Sequence, residues 1–210
     1  MIPRKTLNKI QPKMKKNLSR IGITLPAAIF ATASLLLVVG CASHTFVPTK
    51  SGFLSRYNHL VKVDDLTSRY INTNRLAIYN KFQITAAKCM VTAYDGKPLP
   101  PAAQQKVADY LREAVTKALS DRYPIVTSGG LDVAEIRVAV TEAYKTGNRL
   151  GLTVEGEIND SYSTFQAAAV MRTELGEAYL GDWWDGPSAK QIIDAWASRL
   201  REVIDIAHSR

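Results

Sequence analysis

The chain has 210 residues, 46% hydrophobic and 22% charged, which excludes a disordered tail protein, a collagen-like chain and a polytopic membrane protein. Its 27 Lys+Arg against 19 Asp+Glu give a formal charge of +8, but the excess is local: residues 1–40 hold Arg4, Lys5, Lys9, Lys13, Lys15, Lys16 and Arg20 and no acid. The remaining 20 basic and 19 acidic side chains nearly cancel, which argues against a nucleic-acid partner.

Residues 21–40 carry no charge. A basic stretch, an apolar run and then small residues is the layout of a secretory signal, whose cationic end stays cytoplasmic while the apolar run enters the membrane. Twenty apolar residues at 1.5 Å each would also span about 30 Å of bilayer as an uncleaved anchor. Pro26 inside the run, the Gly40-Cys41 ending and the lack of a following basic cluster favour cleavage. The segment Val38-Val39-Gly40-Cys41 resembles the lipobox of bacterial lipoproteins. That resemblance implies cleavage between Gly40 and Cys41, a diacylglyceryl group on the Cys41 thiol and an acyl chain on its new amine, with no other cofactor. Ala42-Ser43 lacks the Asp that retains enteric lipoproteins at the inner membrane, so the expected location is the outer membrane, facing the periplasm. Three acyl chains on one residue make a permanent tether. The other cysteine is Cys89, so a thioether at Cys41 leaves no internal disulfide.

Residues 42–60 show no sustained periodicity and read as a leader, with Phe53, Leu54, Tyr57 and Leu60 available to dock on the domain. Leu76 to Ala93 is rich in β-branched and aromatic residues and reads as a strand, broken by Gly96-Lys-Pro-Leu-Pro-Pro101. Val107, Tyr110, Leu111, Ala114, Val115, Ala118 and Leu119 form one helical stripe. Tyr123–Thr127 reads as a short strand ended by Ser128-Gly-Gly130. Ile136, Val138 and Val140 alternate with polar or small neighbours, as do Leu152, Val154 and Ile158. A three-residue loop, Thr146-Gly147-Asn148, pairs Val140 with Val154, Ile136 with Ile158 and Arg137 with Glu157, keeping one face apolar; a two-residue loop would set Val140 against Glu155. Asp160–Thr164 turns the chain into a strand over Phe165–Thr173. After a loop at Gly181–Pro187, Ser188-Ala-Lys-Gln191 has a capping-box pattern, opening a helix with its stripe at Ile192/Ile193, Trp196, Leu200, Val203/Ile204 and Ala207. These elements predict an α+β fold: a mainly antiparallel sheet of four to five strands with two helices packed on one face. The expected organisation is a signal peptide over 1–40, a tether and docking leader over 41–75, and a single domain over 76–210.

Ser51-Gly-Phe-Leu-Ser55 after the lipidated cysteine, Tyr70-Ile-Asn72, Asp109-Tyr-Leu-Arg-Glu-Ala114 and Ala118-Leu-Ser-Asp-Arg-Tyr-Pro124 resemble the bacterial lipoproteins of domain-of-unknown-function family 3313. So do Val154-Glu-Gly-Glu-Ile158, Asp160-Ser161 and Asp194-Ala-Trp-Ala-Ser-Arg-Leu200, so that the resemblance covers most of residues 41–207. The chain departs from the pattern at Ser163-Thr164 and Met171-Arg172. The family has no assigned activity, so the resemblance implies location and fold.

Chemistry-bearing residues are sparse. His44, His59 and His208 are peripheral and lack metal-ligand spacing, and one free cysteine makes no zinc site. The best catalytic candidates are Glu155 and Glu157, about 6.6 to 6.8 Å apart on one strand face, near the range for glycosidase carboxylates. The simpler reading is a solvated sheet face with Glu157 opposite Arg137, without the desolvation a general acid needs. No catalytic residue is therefore expected. Trp183-Trp184 suits a partner-binding site or, more simply, the capping of a core end with one indole inward. The preferred reading is a non-enzymatic module held to the membrane by its lipid and contacting an envelope protein or peptidoglycan. The alternatives are a periplasmic hydrolase of envelope glycans using Glu155 and Glu157, and a carrier of a small apolar ligand between helices and sheet, for which an empty lined cavity would be the sign.

Overall fold

The computed structural model describes residues 48–179 and 181–209; the signal segment with Gly40 and Cys41, and also His44, lies outside them. The described residues form one compact unit.

The main sheet has six strands: β1 (Val61–Asp64), β2 (Thr67–Ile71), β3 (Lys81–Cys89), β6 (Val133–Thr146), β7 (Arg149–Asp160) and β8 (Gln166–Glu177), in the order β1-β2-β8-β7-β6-β3. β4 (Ala93–Tyr94) and β5 (Lys97–Pro98) form a separate small hairpin. All neighbours in the main sheet run antiparallel except β3 and β6. That parallel pair is joined through α2 (Pro101–Leu119), which packs on both strands, as a parallel connection requires. The last helix, α3 (Pro187–His208), packs on β7, β8 and α2. Both helices thus lie on one face of the sheet.

The α+β class and the two helical stripes stand, and the sheet is larger than expected. The two additional strands come from residues 61–71, which had read as leader. There Val61 and Val63 alternate with Lys62 and Asp64, and the Asp64 carboxylate accepts the Leu66 N–H (2.8 Å), closing a side-chain turn. The expected strand from Leu76 begins later, because Asn72 caps a single helical turn, α1 (Thr73–Leu76), by accepting the Arg75 N–H (3.0 Å). Tyr123–Thr127 contributes only one parallel bridge, Phe82 to Ile125. Ser188 does not cap α3: Gly186 is the N-cap residue without a side-chain bond, and Pro187 opens the helix with its φ already set.

The β6–β7 register is the expected one, with Val140 opposite Val154, Ile136 opposite Ile158 and Arg137 opposite Glu157. The loop is not. Thr146 pairs with Arg149 across the two residues Gly147-Asn148, and a bulge at Thr141 restores the parity. A two-residue turn plus one bulged residue gives the same facing as a three-residue turn.

On the helix face, Ile136, Val138, Val140, Leu152, Val154 and Ile158 meet Leu111, Val115, Ile193, Trp196 and Ile204 in one core. Gly156 sits on this face beneath Trp196; a Cβ there would lie 2.5 Å from the indole Cη2. Gly156→Ala is therefore expected to cost about 1–3 kcal/mol through displacement of α3, measured as a lower urea midpoint with unchanged slope. At the end of β7, Asp160 accepts from Tyr79 (2.7 Å), Arg75 (3.3 Å) and the N–H groups of Tyr162 and Ser163. The Tyr79 hydroxyl, first among these, holds the Asp160 carboxyl below its ordinary 3.8. Its ionised form is favoured by folding, so this stabilisation is full above the unfolded value and is lost as pH falls through the lower folded one. The stability of Asp160→Asn is expected to fall less steeply than wild type below about pH 4 in denaturant titrations.

Candidate functional site

The opposite face of the sheet is built from the alternate residues of the same strands: Arg137 and Ala139 on β6, Glu155 and Glu157 on β7, and Ala169 and Met171 on β8. This face is not solvated as expected. Glu155 is 0% exposed and Glu157 1%, because residues 48–60 lie across it as a strap. Phe53 and Leu54 are buried against Ala139 and Ala169, with Tyr57 and Leu60 packed beside them, the docking anticipated for those four residues.

Three glutamates receive the strap. Glu142 accepts the Thr49 hydroxyl and that of Thr153 (2.9 Å). Glu155 accepts the Ser51 N–H on Oε1 (3.1 Å) and the Tyr57 hydroxyl on Oε2 (2.5 Å). Glu157 Oε2 accepts the N–H (2.9 Å) and hydroxyl (2.7 Å) of Ser55 and the Gln166 amide (2.8 Å), while Oε1 pairs with Arg137. The Arg137 guanidinium lies 4.9 Å from the Phe53 ring centre and so joins strap to sheet a second time.

The Ser-Gly-Phe-Leu-Ser segment has the residues this geometry demands. Ser51 Oγ accepts the Phe53 N–H (3.1 Å) in a local turn. Gly52 sits at φ +84°, where a side chain would be strained. The Tyr57 oxygen accepts the N–H groups of Gly52 (2.9 Å) and Leu54 (3.2 Å) while donating to Glu155. Burial, then the Glu155 carboxylate, push the Tyr57 phenol above its ordinary value, which keeps it a donor.

A second feature opens on the helix face. α3 covers β7 and β8 but leaves β1 and β2 bare, and an apolar groove runs along the boundary. Its inner slot, about 190 Å³, is lined by Gly156, Ile158, Ala168, Val170, Trp196 and Leu200, with Arg69, Arg172, Arg199 and Glu202 around it. It continues into an open trough of about 460 Å³ between Val61, Val63, Ile71, Val203 and Ile206.

Residues 49–152 match the model of DUF3313, a protein family of unknown function. Over these residues the chain is similar to that family. The match begins at the strap and ends within β7, so the motifs at Val154–Ile158, Asp160-Ser161 and Asp194–Leu200 lie beyond it. No curated protein sequence matches the chain. Among solved structures, it is similar to the PelC dodecamer from Paraburkholderia phytofirmans (15% identity, 63% of this chain and 96% of that one, TM-score 0.42). It is also similar to protein XCC0632 from Xanthomonas campestris, of family DUF330 (12%, 63% and 87%, TM-score 0.45). A candidate lipoprotein from Caulobacter crescentus CB15 is a third (10%, 64% and 91%, TM-score 0.32). Likenesses this distant assign neither role nor partner.

The other residues singled out from sequence that lie among the described ones have structural partners. Trp183 is 1% exposed and meets Tyr94 and, edge to face at 6.1 Å, the half-buried Trp184; only Trp184 reaches the surface. Tyr123 donates to Asp205 (2.6 Å), and Arg122 and Arg201 flank the same carboxylate, tying the end of α2 to α3. The His59 ring packs at a tilt against Tyr70 (4.9 Å between centres), and His208 lies between the carbonyl oxygens of Ile204 and Tyr79. Burial pushes the Cys89 thiol up, away from a reactive thiolate. Among the described residues no group of three His, Cys, Asp or Glu is placed to hold a metal ion.

Tyr57→Phe leaves Glu155 Oε2 and two strap N–H groups without their partner. It is expected to destabilise by about 1–3 kcal/mol and to speed hydrogen exchange of residues 51–57, with the α2 and α3 amides unchanged. Uniform exchange across all three segments would overturn the assignment of the strap as a separate docked unit.

Proposed function

We propose that this protein is a lipid-anchored module of the bacterial envelope. It faces the periplasm from the outer membrane and acts by presenting its α+β domain to an envelope protein or to peptidoglycan, without catalysis. The observation that carries the reading is the strap. The domain begins to bind its own leader at Pro48, seven residues after Cys41. At no more than about 3.6 Å per residue, those seven reach about 25 Å, so a lipid on Cys41 would hold the domain close to the bilayer. Among the described residues no helix is long and apolar enough to cross a membrane, which leaves attachment to the segment before them.

The non-catalytic part of the reading rests on the two carboxylates. Every oxygen of Glu155 and Glu157 already accepts a bond from strap or sheet, and neither is open to solvent. A general acid and its partner need access to a sugar and, in inverting enzymes, room for water; the strap occupies that space. Of the tryptophan pair, Trp184 is the one available to a partner.

Radioactive palmitate supplied to cells is expected to label the wild-type protein and not Cys41→Ala, with wild type sedimenting in the outer-membrane fraction. An unlabelled, freely soluble wild-type protein would remove the anchor from this reading. Crosslinking in intact cells tests the other half: recovery of no specific envelope partner would count against a presenting module.

A further inference from the structure

The groove beside α3 has a shape and a charge that the anchor does not use. Six strands at about 4.8 Å make a sheet about 29 Å wide, and two helices at about 10 Å each cover about 20 Å of it. The uncovered strip is β1–β2, and there Val61 (67% exposed), Val63 (53%) and Ile206 (53%) stand in water around a trough that leads inward. The inner slot exists because the sheet is small beneath α3, with Gly156 under Trp196 and Ala168 beside it. At about 190 Å³ it is little larger than the ~150 Å³ apolar cavity that holds one benzene ring. That is too narrow for a helix of about 10 Å diameter and is wide enough for hydrocarbon in single file.

Free strand pairing does not explain the exposed valines. β1 is four residues long, bulged between Lys62 and Asp64, and carries Lys62 and Asp64 with Asp65 in the turn after it, the features that blunt an edge. The charges around the groove are Arg69, Arg172, Arg199, Glu174 and Glu202. Glu174 is shared by Arg172 (2.6 Å) and Arg199 (3.0 Å), and Arg172 also donates to Thr67 (2.9 Å). Asp64 also acts on Arg172, so these charges balance overall, and what remains for a ligand is one cation without an ion pair. Arg69 is exposed, lines both slot and trough, and makes no hydrogen bond or ion pair among the described residues.

We propose that this groove binds one long-chain fatty acid, its hydrocarbon running between the slot under α3 and the open trough beside β1 and β2, and its carboxylate at Arg69. A single straight chain suits the slot, and a single negative charge suits the unpaired guanidinium. The site lies on the face of the sheet opposite the strap and does not depend on lipidation of Cys41.

The test uses the full-length protein in phosphatidylcholine nanodiscs, irradiated with palmitic acid bearing a diazirine on its chain and mapped by peptide mass spectrometry. Crosslinks are expected to concentrate at residues 168–172 and 192–206. Ala168→Leu fills the slot and is expected to lower labelling at least tenfold. Arg69→Glu alters an exposed side chain outside the core and is expected to lower it about fivefold whether or not Ala168→Leu folds. Unlabelled palmitate should compete at concentrations at least fivefold below hexadecanol. Labelling spread evenly over the chain, wild-type labelling in Arg69→Glu, or equal competition by hexadecanol would each overturn the proposal. Stronger competition by two-chain phosphatidylglycerol or by an amphipathic helical peptide would overturn it in favour of those occupants.

Discussion

Two carboxylates that have left water organise this protein. Burying an ionised glutamate on a sheet face is unfavourable by several kcal/mol unless its lone pairs are met, and Glu155 and Glu157 sit side by side on β7 with almost no exposure. Arg137 supplies one counter-charge. The rest comes from main-chain N–H groups and hydroxyls of a segment about a hundred residues earlier in the chain. Sheet and strap are therefore mutually dependent. Without the strap the carboxylates lose most of their donors, and without the carboxylates the strap keeps the burial of Phe53 and Leu54 and the contacts of Thr49 with Glu142 and of Phe53 with Arg137. This is how a sheet with helices on one face alone closes its other face with a dozen residues of irregular chain.

The same interaction explains where sequence reasoning succeeded and where it stopped. Stripes of period 3.6 located α2 and α3, since each helix buries one continuous face. The apolar pairing of Val140 with Val154 set the register, because one slipped residue would have moved every core side chain to the other face. Turn length was not legible: a bulge at Thr141 and a two-residue loop produce the same facing as a longer loop. The second face was not legible either. Alternating Glu residues read as solvated because a strand pattern records which face is polar, without recording whether water or another piece of chain meets it. The signal that pointed to a cover was the strap itself, with glycine between Ser51 and Phe53 and a tyrosine four residues beyond Phe53. Those residues resembled a family motif before they had a physical role. β1 was missed because its valines are exposed and its alternation belongs to the edge of the sheet, where no core enforces it, and β2 because its Thr-Ser-Arg-Tyr-Ile run carries little apolar signal.

The residues that seemed most available for chemistry are committed to structure. The tryptophan pair divides into a buried member that closes the core and a half-buried one over it; His59 meets an aromatic ring and His208 two carbonyls; the Asp-Arg-Tyr segment joins two helix ends. Such assignments leave the bare strip beside α3 as the place where apolar surface and an unpaired charge occur together without an internal explanation. A fold whose sheet is wider than its helix layer must either cover the excess or expose it, and here the excess is exposed and leads into a slot.

Placing the strap and the groove on opposite faces has a mechanical consequence. In a chain tethered at Cys41, force on the domain enters through Thr49, Ser51 and Ser55 and is borne first by hydrogen bonds to Glu142, Glu155 and Glu157. Those bonds are short-range and lie outside the helix-face core, so the strap yields before the core does. Its release would lengthen the tether by the residues from 48 to 60, about 45 Å at full extension, while the apolar core and the groove keep their shape. In such a tethered chain the reach of the domain would be set by a clamp on one face, independently of the other face.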